Sequence, residues 1–290
     1  MILKLGSNIF DLIFSDSIRK KIEKITIWTA SIGFFIHLIL VIINSNSFLS
    51  FGIENSLLSN PISAIYTPFS IILYYEIFLL IFYLPRSFTT SILKQFEIIS
   101  LILIRRVFYD IPKLDLNSSN WFESSNNLQL TYDIITILIL FFLIYLFSYV
   151  KSKIKTTKAN KKVNSFIDSK KIISIVLVPV MIILFIYSFY QLYLSEINSN
   201  YSTSFYFVNE VFYTTFFSIL IIADVFILLL SFIYTERYSQ IMRNTGFIIC
   251  TILIRLSFSS SGLTNLLLII SSVTFGLLIL KIYSLMNEIE

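Results

Sequence analysis

Acidic and basic residues stand in pairs inside the most apolar stretches of the chain. Glu76 lies within the run YTPFSIILYYEIFLL, and Arg105 lies late in the next apolar run, after the letters ILI. Asp224 and Arg255 hold the corresponding places in the second half, and Arg255 also follows ILI. A charge at the centre of a bilayer costs at least about 2.5–3.5 kcal/mol. These four residues must therefore be paired, neutralised or hydrated, and they form the candidate site.

Two interpretations of these acid–arginine pairs agree with their chemistry. In the first, the acids line a path for a cation or a proton, and the arginines act as gates or counter-ions. In the second, each pair is a salt bridge that fixes the register of two helices. At 1.5 Å per residue, Glu76 lies about 15 Å below the outer end of its span and Arg105 about 6 Å below the same surface. We expect the arginine either to bridge this gap or to extend outwards to the headgroups.

Three further polar residues in apolar segments are secondary candidates. His37 lies deep in the first apolar run, where it could relay protons, although a hydrogen bond to a neighbouring helix is the favoured interpretation. Lys94 and Glu97 are three residues apart, so one helix would place them side by side as a pair.

Arg106 is the last secondary candidate. Because consecutive helical residues are about 100° apart, Arg106 points away from the side that Arg105 occupies. We expect it to reach the outer headgroups, with Asp110 as its partner. Asp133 begins a later apolar run, and we expect it to be solvated.

The composition places the chain in the membrane class. It has 290 residues, of which 56% are hydrophobic and 13% charged, with a mean hydropathy of +0.83, whereas soluble domains carry about 25% charge. One Cys and one His leave little material for thiol, metal or acid–base chemistry. The sequence contains neither nucleotide-binding nor hydrolase motifs. We therefore expect no catalytic residues, cofactor or metal site, and we do not expect an enzyme.

The apolar segments predict an all-α fold that crosses the membrane about eight times. A span needs about 20 predominantly apolar residues, and eight segments qualify: 25–44, 66–84, 88–109, 132–150, 172–194, 209–233, 245–260 and 263–284. With the N-terminus inside, 18 of the 22 basic residues fall on the inner side. This bias indicates that both termini are cytoplasmic.

Similar segments recur in the same order in both halves of the chain. INSNS at 43–47 matches INSNY at 197–201, and ILIR at 102–105 recurs at 252–255. Four spans return a chain to its starting side, so the two units must have the same orientation, as in parallel repeats. The predicted organisation is an amphipathic N-terminal segment, a first repeat, a basic cytoplasmic linker and a second repeat, at 1–24, 25–150, 151–171 and 172–290.

Two classes of function remain open. The paired charges favour an ion channel or an ion-coupled transporter. The alternative is a non-transporting scaffold, sensor or subunit of a membrane complex, which the scarcity of glycine favours, because six Gly in 290 residues leave little material for broken helices. The expected surroundings are the lipid bilayer of a bacterial inner membrane, with other membrane proteins or further copies of the chain as partners, and no nucleic acid.

Overall fold

The described part of the chain is built from α-helices. The computed structural model describes residues 10–45, 61–111, 114, 121–154, 161–197, 205–235 and 237–289. Within them, eight long helices follow one another: α1 Asp16–Ser45, α2 Tyr66–Tyr83, α3 Phe88–Asp110, α4 Ser125–Lys153, α5 Lys161–Ile197, α6 Phe205–Tyr234, α7 Tyr238–Ser257 and α8 Gly262–Ile289. A short 3-10 helix, Pro61–Ile65, leads into α2, and one helical turn at 10–13 precedes α1.

Six of these helices are long and apolar enough to cross a membrane: α1, α2, α4, α5, α6 and α8. The other two, α3 and α7, carry more polar side chains along their length, which lowers their apolarity. The fold is thus that of a helical, multi-pass membrane protein with six candidate spans among the described residues. Six of the eight predicted spans are therefore supported, and the remaining two, at α3 and α7, stay a prediction. Large apolar side chains face outwards along α1, as a lipid-facing helix requires: Ile25, Trp28, Ile32, Phe35 and Ile39.

Short connections order the helices. α2 and α3 are joined by residues 84–87, and the hydroxyl of Ser87 caps α3 by accepting a hydrogen bond from the backbone N–H of Thr90 at 3.4 Å. α8 begins at Gly262, whose φ of +61° is a conformation that other residues rarely adopt. Such connections make consecutive helices antiparallel neighbours.

Helices that follow one another along the chain pack together in each half. Between the halves, α3 contacts α7, α4 contacts α8 and α2 contacts α5. Two of these three contacts therefore join helices that hold the same position in their halves. Bulky aromatic side chains fill the interior, and the fully buried ones include Phe82, Phe96, Phe147, Phe216 and Phe247.

Two glycines let α7 and α8 approach closely. A Cβ on Gly246 would lie 2.8 Å from Cγ1 of Ile279, and one on Gly276 would lie 3.1 Å from Sγ of Cys250 and 3.2 Å from the ring of Phe96. The structure uses them for tight helix packing, as small residues are used in membrane bundles.

The helices extend beyond the predicted boundaries at two places. α1 begins at Asp16, so residues 16–24 of the predicted amphipathic segment are continuous with the first candidate span. α5 begins at Lys161, so residues 161–171 of the predicted linker are helical. Phe10 and Phe14 are buried, and their rings stack against each other, with Phe14 also stacked on Phe78 of α2. These two N-terminal aromatic side chains therefore contact protein.

Candidate functional site

Glu76 and Arg105 form a salt bridge between α2 and α3. Nε of Arg105 lies 3.2 Å from Oε2 of Glu76, and the side chains are 11% and 3% exposed, respectively. Of the two positions expected for Arg105, the structure has the bridging one. The pair joins two consecutive, antiparallel helices.

The direction of helical side chains explains how two residues at different depths meet. Each Cα–Cβ bond in a helix tilts towards the N-terminus of that helix. The two helices are antiparallel, so Glu76 points towards the end where α2 begins, whereas Arg105 points towards the opposite end, where α3 begins. The two side chains converge, and the length of the arginine closes the remaining distance.

Asp224 and Arg255 form the equivalent bridge between α6 and α7. Nη1 of Arg255 lies 2.6 Å from Oδ2 of Asp224, and the side chains are 3% and 2% exposed. Nη2 of Arg255 also donates a hydrogen bond to Oε1 of Gln95 on α3, at 3.3 Å. The second pair is thus buried more deeply than the first, and it connects the two halves of the chain.

A small cavity lies beside Asp224, between α3, α5, α6 and α7. It has room for about one water molecule. Its polar lining comes from five side chains, and Leu84, Phe88, Ile92, Ile227 and Ile248 complete the wall. The polar residues are Ser91, Gln95, Lys170, Asp224 and Thr251. Leu84 follows the end of α2 and Phe88 begins α3, so the cavity lies between Asp224 and the turn that joins these two helices.

Lys170 is the residue of this cluster that the sequence analysis missed. Its side chain is buried, and Nζ donates a hydrogen bond to the backbone carbonyl of Arg86 at 2.7 Å. Nζ also lies 4.7 Å from the centre of the Phe88 ring, a cation–π distance. In the sequence, Lys170 is one of several lysines in the predicted basic linker, and nothing distinguishes it from the others by composition. Its position along the helix does distinguish it, because it shares one stripe of α5 with three other buried residues. The four residues of this stripe are Phe166, Lys170, Ser174 and Leu177.

Arg106 and Asp133 form a third interhelical bridge, between α3 and α4. Nε of Arg106 donates to Oδ2 of Asp133 at 2.7 Å, and Nη2 donates to Oδ1. The Asp133 side chain is 1% exposed. The expectation that Asp133 is solvated is therefore wrong, and Arg106 has a bidentate partner within the bundle. The helix α4 begins eight residues earlier, at Ser125, which places Asp133 two turns inside it.

Polar groups of the last hairpin extend this third bridge. Nη2 of Arg106 also donates to Oδ1 of Asn265 at 2.8 Å, and Nδ2 of Asn265 donates to the carbonyl of Ser257 at 2.5 Å. Gln129 donates to Asp133 at 2.9 Å and accepts from the backbone N–H of Gly262 at 2.6 Å. One network thus connects α3, α4 and the turn between α7 and α8.

The remaining secondary candidates have local partners. Nδ1 of His37 lies 2.6 Å from Oγ1 of Thr67, so His37 bonds to the adjacent helix, as the favoured interpretation expected. Nζ of Lys94 lies 2.5 Å from Oε2 of Glu97 in the expected i, i+3 pair, and both side chains are part-exposed. Neither contact lies among the residues that line the cavity.

The described residues contain no group of three or more His, Cys, Asp or Glu side chains that could hold a metal ion. No protein-family model matches the chain, and neither do any curated proteins or solved structures. The function must therefore be inferred from the geometry of the charges.

Proposed function

We propose that this chain is an ion-translocating membrane protein, and that the ion passes through the second half, beside Asp224. The observation that carries the proposal is the cavity, which holds a buried carboxylate, a buried ammonium and three uncharged polar groups. Buried ionisable groups within membrane helices most often mark substrate or ion pathways. A cluster whose only purpose was to connect two helices would need neither Lys170 nor the cavity.

The proposed architecture has eight spans in two parallel four-helix repeats, at 25–150 and 172–290, with both termini in the cytoplasm of a bacterium. Two observations support it. The acid–arginine bridges occupy equivalent helices, α2 with α3 and α6 with α7. Equivalent helices also contact each other across the halves, α3 with α7 and α4 with α8. A pseudo-twofold axis along the membrane normal would bring such equivalent elements together.

In this architecture α3 and α7 are also spans, although they are the least apolar of the eight. Their buried charged groups face neighbouring helices, since Arg105 contacts α2, Arg106 contacts α4 and Arg255 contacts α6. Charges that are paired inside a bundle are tolerated at membrane depth, where lipid-facing charges are not. The two repeats then differ in function: the first contains a salt bridge outside the cavity lining, and the second contains a salt bridge whose acid lines the cavity.

A second candidate function is that of a non-transporting scaffold or subunit of a membrane complex. It is favoured by the direct contact of both acids with their arginines, which is the geometry of structural bridges. On this view the cavity holds a structural water molecule, and the partners are other membrane proteins or further copies of the chain.

Ion flux into liposomes separates the two functions. Purified wild-type protein would be compared with Asp224→Asn and Lys170→Met, across several cations, several anions and a proton gradient. Glu76→Gln is the matched control, because it alters the equivalent bridge that has no part in the cavity lining. We expect flux in the wild type and in Glu76→Gln, loss of flux in Lys170→Met, and an altered flux in Asp224→Asn under conditions where that variant remains folded.

Three outcomes would contradict this proposal. Folded wild-type protein that conducts none of the ions tested would favour the scaffold. Equal loss of flux in Glu76→Gln and Asp224→Asn, together with equal loss of thermal stability, would make both acids structural. Full flux in Lys170→Met would show that the ion does not pass through the cavity that Lys170 lines.

A further inference from the structure

We propose that the cavity beside Asp224 binds one small monovalent anion of the halide type. This inference rests on the proposed function in assigning the substrate class, but the binding site itself does not require that the anion be transported. From the sequence alone, the acids suggested a cation or proton path. Because Lys170 also lines the cavity, the structure favours an anion in place of the expected cation.

The charge balance around the cavity is positive. Asp224 is already neutralised by Arg255, whose Nη1 lies 2.6 Å from the carboxylate. Lys170 supplies a second positive charge when it is protonated, and its ammonium donates to the neutral carbonyl of Arg86 at 2.7 Å. Asp224 and Arg243 both act electrostatically on Lys170, the first as an opposite charge and the second as a like charge. A buried surplus of positive charge is costly, and an anion would offset that cost.

The cavity also offers suitable donors and a suitable size. An ammonium group has three N–H donors, and one of those of Lys170 is occupied by the carbonyl of Arg86. The hydroxyl of Ser91 accepts a hydrogen bond from Nε2 of Gln95 at 3.4 Å, so its own hydrogen is able to donate elsewhere. The space for about one water molecule suits a halide ion better than a polyatomic anion such as sulfate or phosphate.

The carboxylate of Asp224 acts against an anion, because it also lines the cavity. Its charge is shared with Arg255, which is buried and donates to Gln95 as well. A cation would instead face Lys170, Arg243 and Arg255 with a single acid to hold it. The balance of charges therefore favours the anion.

Bromide provides the direct test, because it is a halide that anomalous X-ray diffraction locates. Crystals of the full chain in detergent would be grown or soaked in sodium bromide. In parallel, the melting temperature would be measured in sodium chloride, bromide and gluconate at equal ionic strength. The variant is Lys170→Met, and the matched control is Lys171→Met, whose lysine pairs with Asp11 outside the cavity lining.

We expect an anomalous bromide peak between Lys170 and Ser91. Chloride and bromide should raise the melting temperature of the wild type and of Lys171→Met by about 2–4 °C relative to gluconate, and should have no such effect on Lys170→Met. Absence of the peak at high bromide, or an unchanged halide effect in Lys170→Met, would overturn the inference. If Lys170→Met does not fold, the wild-type crystals alone test the inference: a bromide peak supports the anion site, and its absence overturns it.

The two proposals fail in different ways. A bromide peak in a protein without ion flux would keep the anion site and remove the transport function. Cation flux in a protein without a bromide peak would keep transport and remove the anion site.

Discussion

Arg255 contacts Asp224 at 2.6 Å in a position where both side chains are almost completely buried, and the same guanidinium donates a hydrogen bond to Gln95 in the other half of the chain. The equivalent pair, Arg105 with Glu76, is longer at 3.2 Å and its arginine is 11% exposed. The two bridges have the same helical positions but different surroundings. We therefore expect the two bridges to contribute unequally to the stability of the protein.

Asp224→Asn should destabilise the protein far more than Glu76→Gln. Loss of the Asp224 charge leaves Arg255 as an uncompensated buried charge, a change that typically costs about 3–5 kcal/mol. Arg105 is partly exposed and can extend to the outer surface when its partner is removed, so the loss should be smaller. Thermal unfolding of both variants in the same detergent measures the difference.

The double variant Asp224→Leu/Arg255→Met is the control for this prediction. Replacing both members of a buried ion pair by apolar groups of similar volume is often neutral. We expect the double variant to be more stable than Asp224→Asn. Equal unfolding temperatures for the two single variants would contradict the stated difference between the bridges.

Arg106→Lys should weaken the junction of α3, α4 and the last hairpin. The guanidinium of Arg106 contacts both carboxylate oxygens of Asp133 and also Asn265, and a lysine ammonium cannot reproduce this planar, two-point geometry. A loss of about 1–3 kcal/mol is expected, because buried acceptors lose their donors. Hydrogen exchange should increase at the start of α4 and α8, and unchanged protection there would count against the network.

Gly246→Ala should destabilise the contact of α7 with α8. Its Cβ would lie 2.8 Å from Cγ1 of Ile279 and about as close to two other atoms of that branched side chain. Overpacking of this kind costs about 1–3 kcal/mol. Gly262→Asn is the control, because its site has open space and asparagine tolerates the positive φ. The prediction would be contradicted if the melting temperature stayed unchanged in Gly246→Ala but fell in Gly262→Asn.

Thiol labelling tests the proposed topology with little background. Cys250 is the single cysteine and is buried, with Sγ donating to the carbonyl of Gly246 at 3.1 Å. A membrane-impermeant maleimide added to intact cells should therefore leave the wild type unlabelled. It should label a cysteine introduced at Phe122 and should reach one at Ser152 only after the membrane is opened. Labelling of Ser152→Cys in intact cells would contradict the orientation.

Helix positions and some pairings follow from local features of the sequence. Each of the eight predicted apolar segments overlaps one helix, because a long apolar run must satisfy its backbone hydrogen bonds internally. The pairing of Lys94 with Glu97 depends only on the spacing within one helix. The bridges of Glu76 and Asp224 to their arginines were among the expected arrangements, since short connections make consecutive helices neighbours.

What only the tertiary structure decided is the burial of Lys170 and Asp133. Both stand near the end of a predicted span, where a charged side chain can be solvated or can turn into the bundle, and the local sequence is the same in either case. The outcome depends on distant partners: the carbonyl of Arg86 receives the ammonium of Lys170, and Arg106 receives the carboxylate of Asp133. By itself, the sequence determined that the chain forms apolar helices with charges at matched positions. The packing of non-adjacent helices determined which charges share a cavity, because the cost of burying a charge depends on the groups that surround it.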